Sequence, residues 1–351
     1  MSAPASDGRS VQAVLDDPAA GDPAMSIPAA GDPAVGEPRI DDSATAAIEG
    51  RSPASLAWRR MRRDRVTMVS LGVVVLLVLL AVAAPFLKAF GVIDPSTPHP
   101  ELVQGVGSLP TGAFSGASAD HWLGVVPGVG QDVLARVLYG LTFDFTIAAA
   151  ATVLTVLIGT TIGVIAGYSG NWIDGALSRF MDLVLAFPQL IMLIALSPIF
   201  LGQPPQNARV VVYLIIVLAV FGWPYLARIV RSEVLSLRDL EYIEAARSLG
   251  ASKRHILWKE LLPAVRGPVL VYATIILPVY ISSEAALAYL GISLQPPFPT
   301  LGSVLNDALP YATSDTTYFL VPGIALVIVV LAFNLLGDGL GDALNPRSDR
   351  M

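Results

Sequence analysis

The chain has 351 residues, of which 54% are hydrophobic and only 14% are charged, and its mean hydropathy is +0.64. Soluble domains carry about a quarter charged residues, so this composition indicates a membrane protein, and the net charge of −6 identifies no partner. The absence of cysteine excludes disulfides, cysteine-based zinc sites and thiol nucleophiles, and three scattered histidines predict no metal site.

Residues 1–57 form a first region that is rich in Ala, Pro, Asp, Gly and Ser. The heptapeptide at residues 18–24 recurs at residues 28–34. Such a segment cannot bury enough apolar surface to offset the entropy lost on ordering. Residues 1–57 are therefore predicted to be a disordered cytoplasmic tail.

Six long and nearly uncharged segments follow the tail. Each is about the length that a helix needs to cross a hydrocarbon core of roughly 30 Å. Arginines crowd the stretch from Arg59 to Arg65, directly before the first segment, and place the N-terminus in the cytoplasm by the positive-inside rule. Six spans then return the C-terminus to the same side. The segments are 66–87, 145–167, 183–201, 210–227, 267–290 and 317–337.

The distribution of cations agrees with this topology. The segment 228–266, which we place in the cytoplasm, contains eight Lys and Arg residues, whereas the proposed outer loops contain only Lys88 and Arg136. We divide the chain into the tail, a first span with its extracytoplasmic loop (58–140), and a transmembrane core (141–347).

Small residues and prolines predict how the spans pack. Gly159, Gly163 and Gly167 are four residues apart and share one helix face, which favours close contact with another helix in lipid. Prolines within the spans predict kinks that neighbouring helices must accommodate. These prolines are Pro188, Pro198 and Pro278.

The cytoplasmic segment 239–263 is predicted to contain two short helices. Asp239 is a candidate N-cap of the first helix, and Gly250 is placed where a left-handed residue ends it. Ser252 then caps a second helix that runs to Pro263. The second helix has more apolar surface than a solvated loop, which predicts a protein partner. Its apolar residues are Ile256, Leu257, Trp258, Leu261 and Leu262.

A spaced pattern in the same segment consists of Glu244, Ala245, Ala246, Gly250, Leu262 and Pro263. This pattern resembles the "EAA" signature of ABC importer permeases, although Glu260 stands where that signature has Ile. Residues 179–188, 283–291 and 333–347 resemble the second ("C-type") permease subunit of the dipeptide/oligopeptide/nickel family. Residues 121–140 match less closely, with Val125, Val126 and Gln131 at positions where the family has polar or charged residues. The resemblance covers residues 58–347.

This resemblance implies an all-α polytopic fold. Spans 2–6 would form a five-helix, MetI-like importer core, with span 1 outside it. The resemblance further implies that residues of segment 239–263 dock on an ATP-binding subunit and couple its closure to transport. The coupling residues are then Glu244, Ala245, Ala246, Gly250, Ile256, Trp258, Leu261, Leu262 and Pro263.

The partners that the resemblance implies are a homologous second permease in a heterodimer, two ATP-binding subunits and an extracytoplasmic substrate-binding protein, but no nucleic acid. The chain itself would be a non-enzymatic subunit of a bacterial cell membrane, surrounded by lipid. It would bind no cofactor, because ATP and magnesium belong to the partner ATPases. Peptides are the expected solutes, with nickel or another small solute as the alternative.

Polar residues within the spans are candidates for special roles. Glu284 interrupts the fifth span, so it is expected to be protonated, to be paired through a structural hydrogen bond, or to line the translocation pathway. Asp144 is expected at the outer interface. Asp182 follows Arg179 by three residues, which predicts a local ion pair. A further set shares one face and is expected to fix the cytoplasmic end of span 6 rather than to bind metal: Asn334, Asp338 and Asp342.

Three other classes of protein are alternatives for a membrane chain of this kind. The sequence Gly167-Tyr168-Ser169-Gly170 matches the serine motif of rhomboid-type proteases, but no later span contains a histidine base. An ATPase needs Gly-Lys-Ser/Thr, and none of the lysines has that context. A secondary transporter would need no ATPase-docking segment and would usually show inverted repeats, which the sequence lacks.

Overall fold

A computed structural model describes residues 53–105, 107–201 and 206–344 of the chain. Most of these residues are helical, as expected for an all-α polytopic protein. The helices in chain order are α1 (Pro53–Met61), α2 (Arg65–Ala89), α3 (Val133–Ser169), α4 (Asn171–Leu185), α5 (Gln189–Leu201), α6 (Asn207–Leu237), α7 (Glu241–Ser248), α8 (Lys253–His255), α9 (Leu262–Tyr289), α10 (Leu301–Ala308) and α11 (Thr316–Leu344).

Short elements complete the outer segments and one helix junction. A two-stranded antiparallel hairpin, β1 (Val103–Gln104) and β2 (Leu109–Pro110), follows a 3-10 turn at Pro100–Leu102. A second 3-10 turn, Leu309–Tyr311, follows α10, and a π-helical segment, Ile256–Leu261, joins α8 to α9.

The predicted tail, residues 1–57, is only partly covered by the described residues. Residues 1–52 lie outside them, so the prediction is not tested there. Residues 53–57 belong to α1, and the predicted boundary at residue 57 is therefore wrong. Ala57 and Met61 of α1 are buried in the main apolar core, and α1 packs on α11. This apolar contact explains why the helix α1 begins before the arginine cluster that starts at Arg59.

Five helical stretches are long and apolar enough to cross a membrane: α2, α3, α6, the continuous helix from Lys253 to Tyr289, and α11. The third predicted span, 183–201, is not one straight helix. Helices α4 and α5 meet at a bend of 79°. Pro188, at which a kink was predicted, lies in the break between them, directly before the first residue of α5. The pair makes a sixth span only if both helices are counted together, so the count of six stays a prediction.

The glycine stripe of α3 forms the predicted helix–helix seam, and its partner is α6. A Cβ atom at Gly163 would lie 2.7 Å from the carbonyl oxygen of Ala227, and one at Gly167 would lie 2.8 Å from that of Arg231. Real Cβ atoms do not approach backbone oxygens so closely, so only glycine permits this separation of the two helices. The prediction of a packing role is confirmed. The seam brings together the ends of α3 and α6 that are predicted to be cytoplasmic. We call these the cytoplasmic ends and the opposite ends of the helices the outer ends.

Helix α2 lies at the edge of the bundle, where it packs on α3 and α11. Much of its apolar surface is exposed, including Val69, Leu79 and Val82. Helices α3, α6 and α9 instead pack on one another. This arrangement agrees with a core of later spans and a peripheral first span.

Candidate functional site

The first helix of the cytoplasmic segment, α7, begins one residue later than expected. Its N-cap is Leu240, which offers no side-chain hydrogen bond, whereas Asp239 forms an ion pair with Arg238 at 3.5 Å (Oδ1 to Nε). Asp239 was therefore wrongly predicted as the cap, because a neighbouring guanidinium competes for its carboxylate. The acidic first turn, Glu241 and Glu244, still complements the positive end of the helix dipole.

The turn between α7 and α8 is built as the local sequence predicts. Gly250 has a φ of +83°, a conformation that residues with a Cβ rarely adopt. No atom lies within 4 Å of the position that a Cβ would occupy there, so backbone conformation alone demands glycine. The hydroxyl of Ser252 accepts a hydrogen bond from the backbone N–H of His255 at 3.2 Å and caps α8.

The second helix does not stop at Pro263. Residues 253–289 form one continuous helix, in which α8 passes through the π-helical segment into α9. The N–H of Leu262 bonds to the carbonyl of Leu257, five residues back, and Pro263 stands in the first turn of α9. Pro263 lacks an N–H inside this continuous helix, and it stands directly after the π-helical segment, where the backbone bonds already depart from the α-helical pattern. The expected pair of short helices is therefore one short helix and the cytoplasmic end of a span.

Two residues that were expected to face an ATPase are buried in the chain itself. Ile256 is 1% exposed and Leu261 is 0% exposed, and both pack in a cluster with Ile243 of α7 and with Val230 and Val234 of α6. The expectation that Ile256 and Leu261 contact a partner is wrong. They instead fasten the segment to the cytoplasmic end of α6.

The exposed apolar side chains of the segment are a different set. Trp258 is 63% exposed and Leu249, beside Gly250, is 89% exposed. Tyr242 of α7 is also exposed. Of the remaining predicted coupling residues, Glu244, Ala245, Gly250 and Pro263 are exposed, whereas Ala246 and Leu262 are half-buried. The segment thus has a buried anchor and an open, partly apolar outer surface that is available to a partner.

Ion pairs hold α4 against the cytoplasmic half of α6. Asp174 binds the guanidinium of Arg231, with Nη2 to Oδ2 at 2.7 Å. Asp182 pairs with Arg228 and not with Arg179, which is exposed and forms no ion pair within the described residues. The predicted Arg179–Asp182 pair is wrong, because α6 brings a second guanidinium to Asp182 across the helix contact.

Arg238 links this region to the glycine seam. Its Nη1 donates to the carbonyl of Gly167 at the end of α3, with a length of 3.0 Å. The cytoplasmic ends of α3, α4 and α6 are therefore joined by polar contacts directly beside α7. Sequence reasoning missed Asp174, Arg228 and Arg231 as partners, because each pairs with a residue more than 40 positions away.

A second polar cluster lies at the opposite end of α9. Glu284 is 1% exposed, and its Oε1 accepts a hydrogen bond from the hydroxyl of Ser293 at 3.1 Å. The carboxyl group of Asp144 on α3 lies near that of Glu284, and Oε2 of Glu284 and Oδ1 of Asp144 have no hydrogen-bond partner among the described residues. The bond to Ser293 favours the structural alternative for Glu284, and its expected role in the pathway stays a prediction.

The expected position of Asp144 at the outer interface of the membrane stays a prediction, but the residue is not accessible there. Its side chain is buried, and Oδ2 accepts the backbone N–H of Leu301 at 2.9 Å. Leu301 is the first residue of α10, whose N-cap is Thr300. Asp144 therefore ties α3 to α10, and Glu284 beside it ties α9 to Ser293, contacts that no local sequence pattern signals.

The polar face of α11 has no partner among the residues that the structure describes. Asn334, Asp338 and Asp342 are exposed, and none forms a hydrogen bond or ion pair with another described residue. Their predicted role in fixing the end of the span has no contact within the described part to support it.

The sequence matches the family model described as "Binding-protein-dependent transport system inner membrane component" over residues 159–350. Residues 52–100 match the "N-terminal TM domain of oligopeptide transport permease C". The chain is 34% identical over 296 residues to the dipeptide transport system permease protein DppC of Alkalihalophilus pseudofirmus, with 84% of this chain and 90% of that protein covered. It is also 34% identical over 297 residues to the glutathione transport system permease protein GsiD of Pectobacterium atrosepticum, covering 85% and 92%.

Among solved structures, an inward-facing MetNI methionine ABC transporter aligns with a TM-score of 0.47 at 21% identity. The alignment covers 61% of this chain and 96% of that chain.

Proposed function

The chain belongs to the family of inner membrane components of binding-protein-dependent transport systems, which are permeases of ABC importers, and we propose that the solutes it transports are peptides. The observation that carries the proposal is the identity of 34% with a dipeptide permease across 90% of that relative. The second relative, named for glutathione, favours the same class of solute. Nickel or another small solute is the alternative.

In this proposal the chain forms half of the pathway, and a homologous permease forms the other half. Separate ATP-binding subunits hydrolyse ATP with magnesium, and an extracytoplasmic binding protein delivers the peptide. Both termini of the chain lie in the cytoplasm, and the chain binds no cofactor.

The docking site for the ATPase is the exposed surface of segment 239–263. The exposed Trp258 and Leu249 support this role, because large apolar side chains in such number on a short surface segment are normally covered by a partner. The buried Ile256 and Leu261 support it differently, since they would transmit movement of the segment to α6.

An uptake experiment tests the substrate class. A strain that lacks the gene is compared with the same strain carrying the wild-type gene, and uptake of a labelled dipeptide and of labelled Ni²⁺ is measured in both. We expect that dipeptide uptake falls in the deletion strain and returns on complementation, with Ni²⁺ uptake unchanged. Loss of Ni²⁺ uptake alone would overturn the peptide assignment in favour of the alternative.

A further inference from the structure

The cytoplasmic ends of α1 and α2 carry a dense positive charge that the acidic residues in the described part of the chain do not neutralise. Arg59, Arg62, Arg63 and Arg65 are exposed, and none of them forms an ion pair with a described residue. The arginines of α6 behave differently, since Arg228, Arg231 and Arg238 each pair with an aspartate. The guanidinium groups of these four arginines are therefore available to an anion from outside the described residues.

The acid within the cluster is already engaged. Asp64 caps α2 by accepting bonds from the N–H groups of Val66 and Thr67 and from the Thr67 hydroxyl. The bond from the Thr67 hydroxyl is the main cause that lowers the pKa of Asp64 below its usual value. Asp338 and Asp342 of α11 are exposed but bind none of these arginines. The four exposed arginines outnumber these three aspartates, so the net charge of the surface stays positive.

An apolar groove begins directly beneath the arginines. It has a volume of about 400 Å³ and runs between α2 and α11. Arg65 stands at its cytoplasmic end, and apolar side chains of both helices line the rest. These include Val66, Val69, Val73, Leu331 and Leu335. The groove thus has one charged end and an apolar body.

The dimensions of the groove match one leaflet of a membrane. From Arg65 to Val73 a helix rises about 12 Å, close to half of a hydrocarbon core of roughly 30 Å. Both helices are long and apolar enough to span, and Val69 in the groove is 67% exposed. Trp58 of α1 is also exposed, with the guanidinium of Arg62 5.0 Å from its ring centre. Tryptophan and arginine at this level are typical of the headgroup region.

We propose that this groove and the arginines above it form a binding site for an anionic phospholipid of the cytoplasmic leaflet. One acyl chain lies between α2 and α11, and the phosphate lies among the guanidinium groups of Arg62, Arg63 and Arg65. Charge complementarity selects the headgroup, since each basic side chain near a membrane surface attracts anionic lipid. The lipid would hold the peripheral helix α2 against α11 of the core.

The test measures lipid binding to the purified permease complex by native mass spectrometry, with phosphatidylglycerol and phosphatidylcholine as probes. We expect the wild-type complex to bind phosphatidylglycerol at least about tenfold more tightly. Replacing Arg62, Arg63 and Arg65 together with Gln should weaken that binding by about fivefold per arginine, or on the order of 100-fold in total. Replacement of the same three with Lys should retain most of the affinity and also preserves the positive-inside signal.

A second pair of variants separates the groove from the charge. Val69→Trp fills the groove without changing any charge, and Val82→Trp adds the same bulk to an exposed position of α2 outside it. We expect Val69→Trp alone to weaken binding of phosphatidylglycerol. Arg209→Gln, at an exposed arginine near the other end of the bundle, controls for loss of charge in general.

Three results would overturn the proposal. Equal affinity for the two lipids in the wild-type complex would mean that the arginines serve another anion, such as an acidic protein segment. Unchanged binding in the triple Gln variant would show that the arginines do not hold the headgroup. Unchanged binding in Val69→Trp would leave a diffuse basic surface without a groove site.

Discussion

The two ends of α9 differ in what they bury and what they expose. One end buries acidic side chains, and the other exposes a large apolar one. At the outer end, Glu284 and Asp144 are buried near each other, with Glu284 bonded to the Ser293 hydroxyl and Asp144 bonded to the N–H of Leu301 at the start of α10. At the cytoplasmic end, apolar residues that are close in sequence, directly before α9, differ in exposure: Leu261 is buried, whereas Trp258 is exposed. One end is a closed structural joint, and the other presents a surface.

This difference predicts that substitutions at the two ends change different quantities, namely the stability of the fold at one end and the binding of a partner at the other. At the outer joint every polar atom that loses its partner is left without water, so variants should fail in folding. At the cytoplasmic surface an exposed side chain costs little to remove, so variants should fold and fail only in contact with a partner. Substitutions at the two ends, ordered by their expected effect on the free energy of unfolding, test this distinction.

The largest effect is expected for Glu284→Leu. It leaves the buried Ser293 hydroxyl without its carboxylate acceptor, which should cost about 1–3 kcal/mol in the free energy of unfolding. It also forces a branched apolar side chain into a site shaped for Glu beside the Asp144 carboxyl, which should cost about 1–3 kcal/mol more. Glu284→Gln keeps the volume and hydrogen bonding, and should cost about 1 kcal/mol or less. Denaturant unfolding of the purified protein measures both. Equal stability of the two variants would mean that the outer end is not a closed joint.

A smaller loss is expected at the glycine seam, on which both ends depend. Gly163→Ala places a Cβ 2.7 Å from a backbone oxygen of α6 and should cost about 1–3 kcal/mol as the two helices separate. Gly175→Ala is the matched control, because nothing lies within 4 Å of that Cβ position in α4. Alanine is the better helix former there, so the control should be neutral or slightly stabilising. If both variants unfold alike, the seam tolerates bulk and the interpretation fails.

Gly250→Val should cost about 1 kcal/mol or slightly more, because its φ of +83° disfavours any residue with a Cβ while open space surrounds it. The permease pair should still assemble. Helix α8 would be re-aimed, however, and recruitment of the ATPase and substrate-stimulated hydrolysis should fall strongly. Pull-down of the ATPase subunits and ATP turnover measure this loss. Normal recruitment and uptake in the variant would show that the turn is an ordinary loop.

Local features of the site were predictable, and tertiary ones were not. The left-handed Gly250 and the Ser252 cap follow from a few neighbouring residues, and the structure has both. The six long apolar segments follow from composition, although the bend before α5 changes one of them. The ion pair of Asp182 with Arg228 and the hydrogen bond of Asp144 with Leu301 depend on helices that meet only after folding.

The same reason explains the errors about the apolar face of segment 239–263. Ile256, Trp258 and Leu261 all look alike as apolar residues of one short helix. Which of them turns inward is decided by Val230 and Val234 of α6, which cover Ile256 and Leu261. The π-helical register also shifts the faces of the segment, and no pattern of residue types predicts that shift.

The smallest effect on stability is expected for Trp258→Ala, and this variant makes the sharpest test of the exposed surface. Trp258 is mostly exposed, so its removal forfeits little burial and should change the free energy of unfolding by about 0.5 kcal/mol or less. An aromatic anchor at the centre of an interface commonly carries 2 kcal/mol or more of binding energy, so affinity for the ATPase should fall by about 30-fold or more.

Trp172→Ala, at a tryptophan on α4 that is 78% exposed, is the matched control and should leave that affinity unchanged. Binding of the purified ATPase to each complex in nanodiscs, measured beside denaturant unfolding, separates the two quantities. Equal affinities for the two alanine variants would place the ATPase contact elsewhere, whereas a large loss of stability in Trp258→Ala would mean that the cytoplasmic end of α9 is as closed as the outer one.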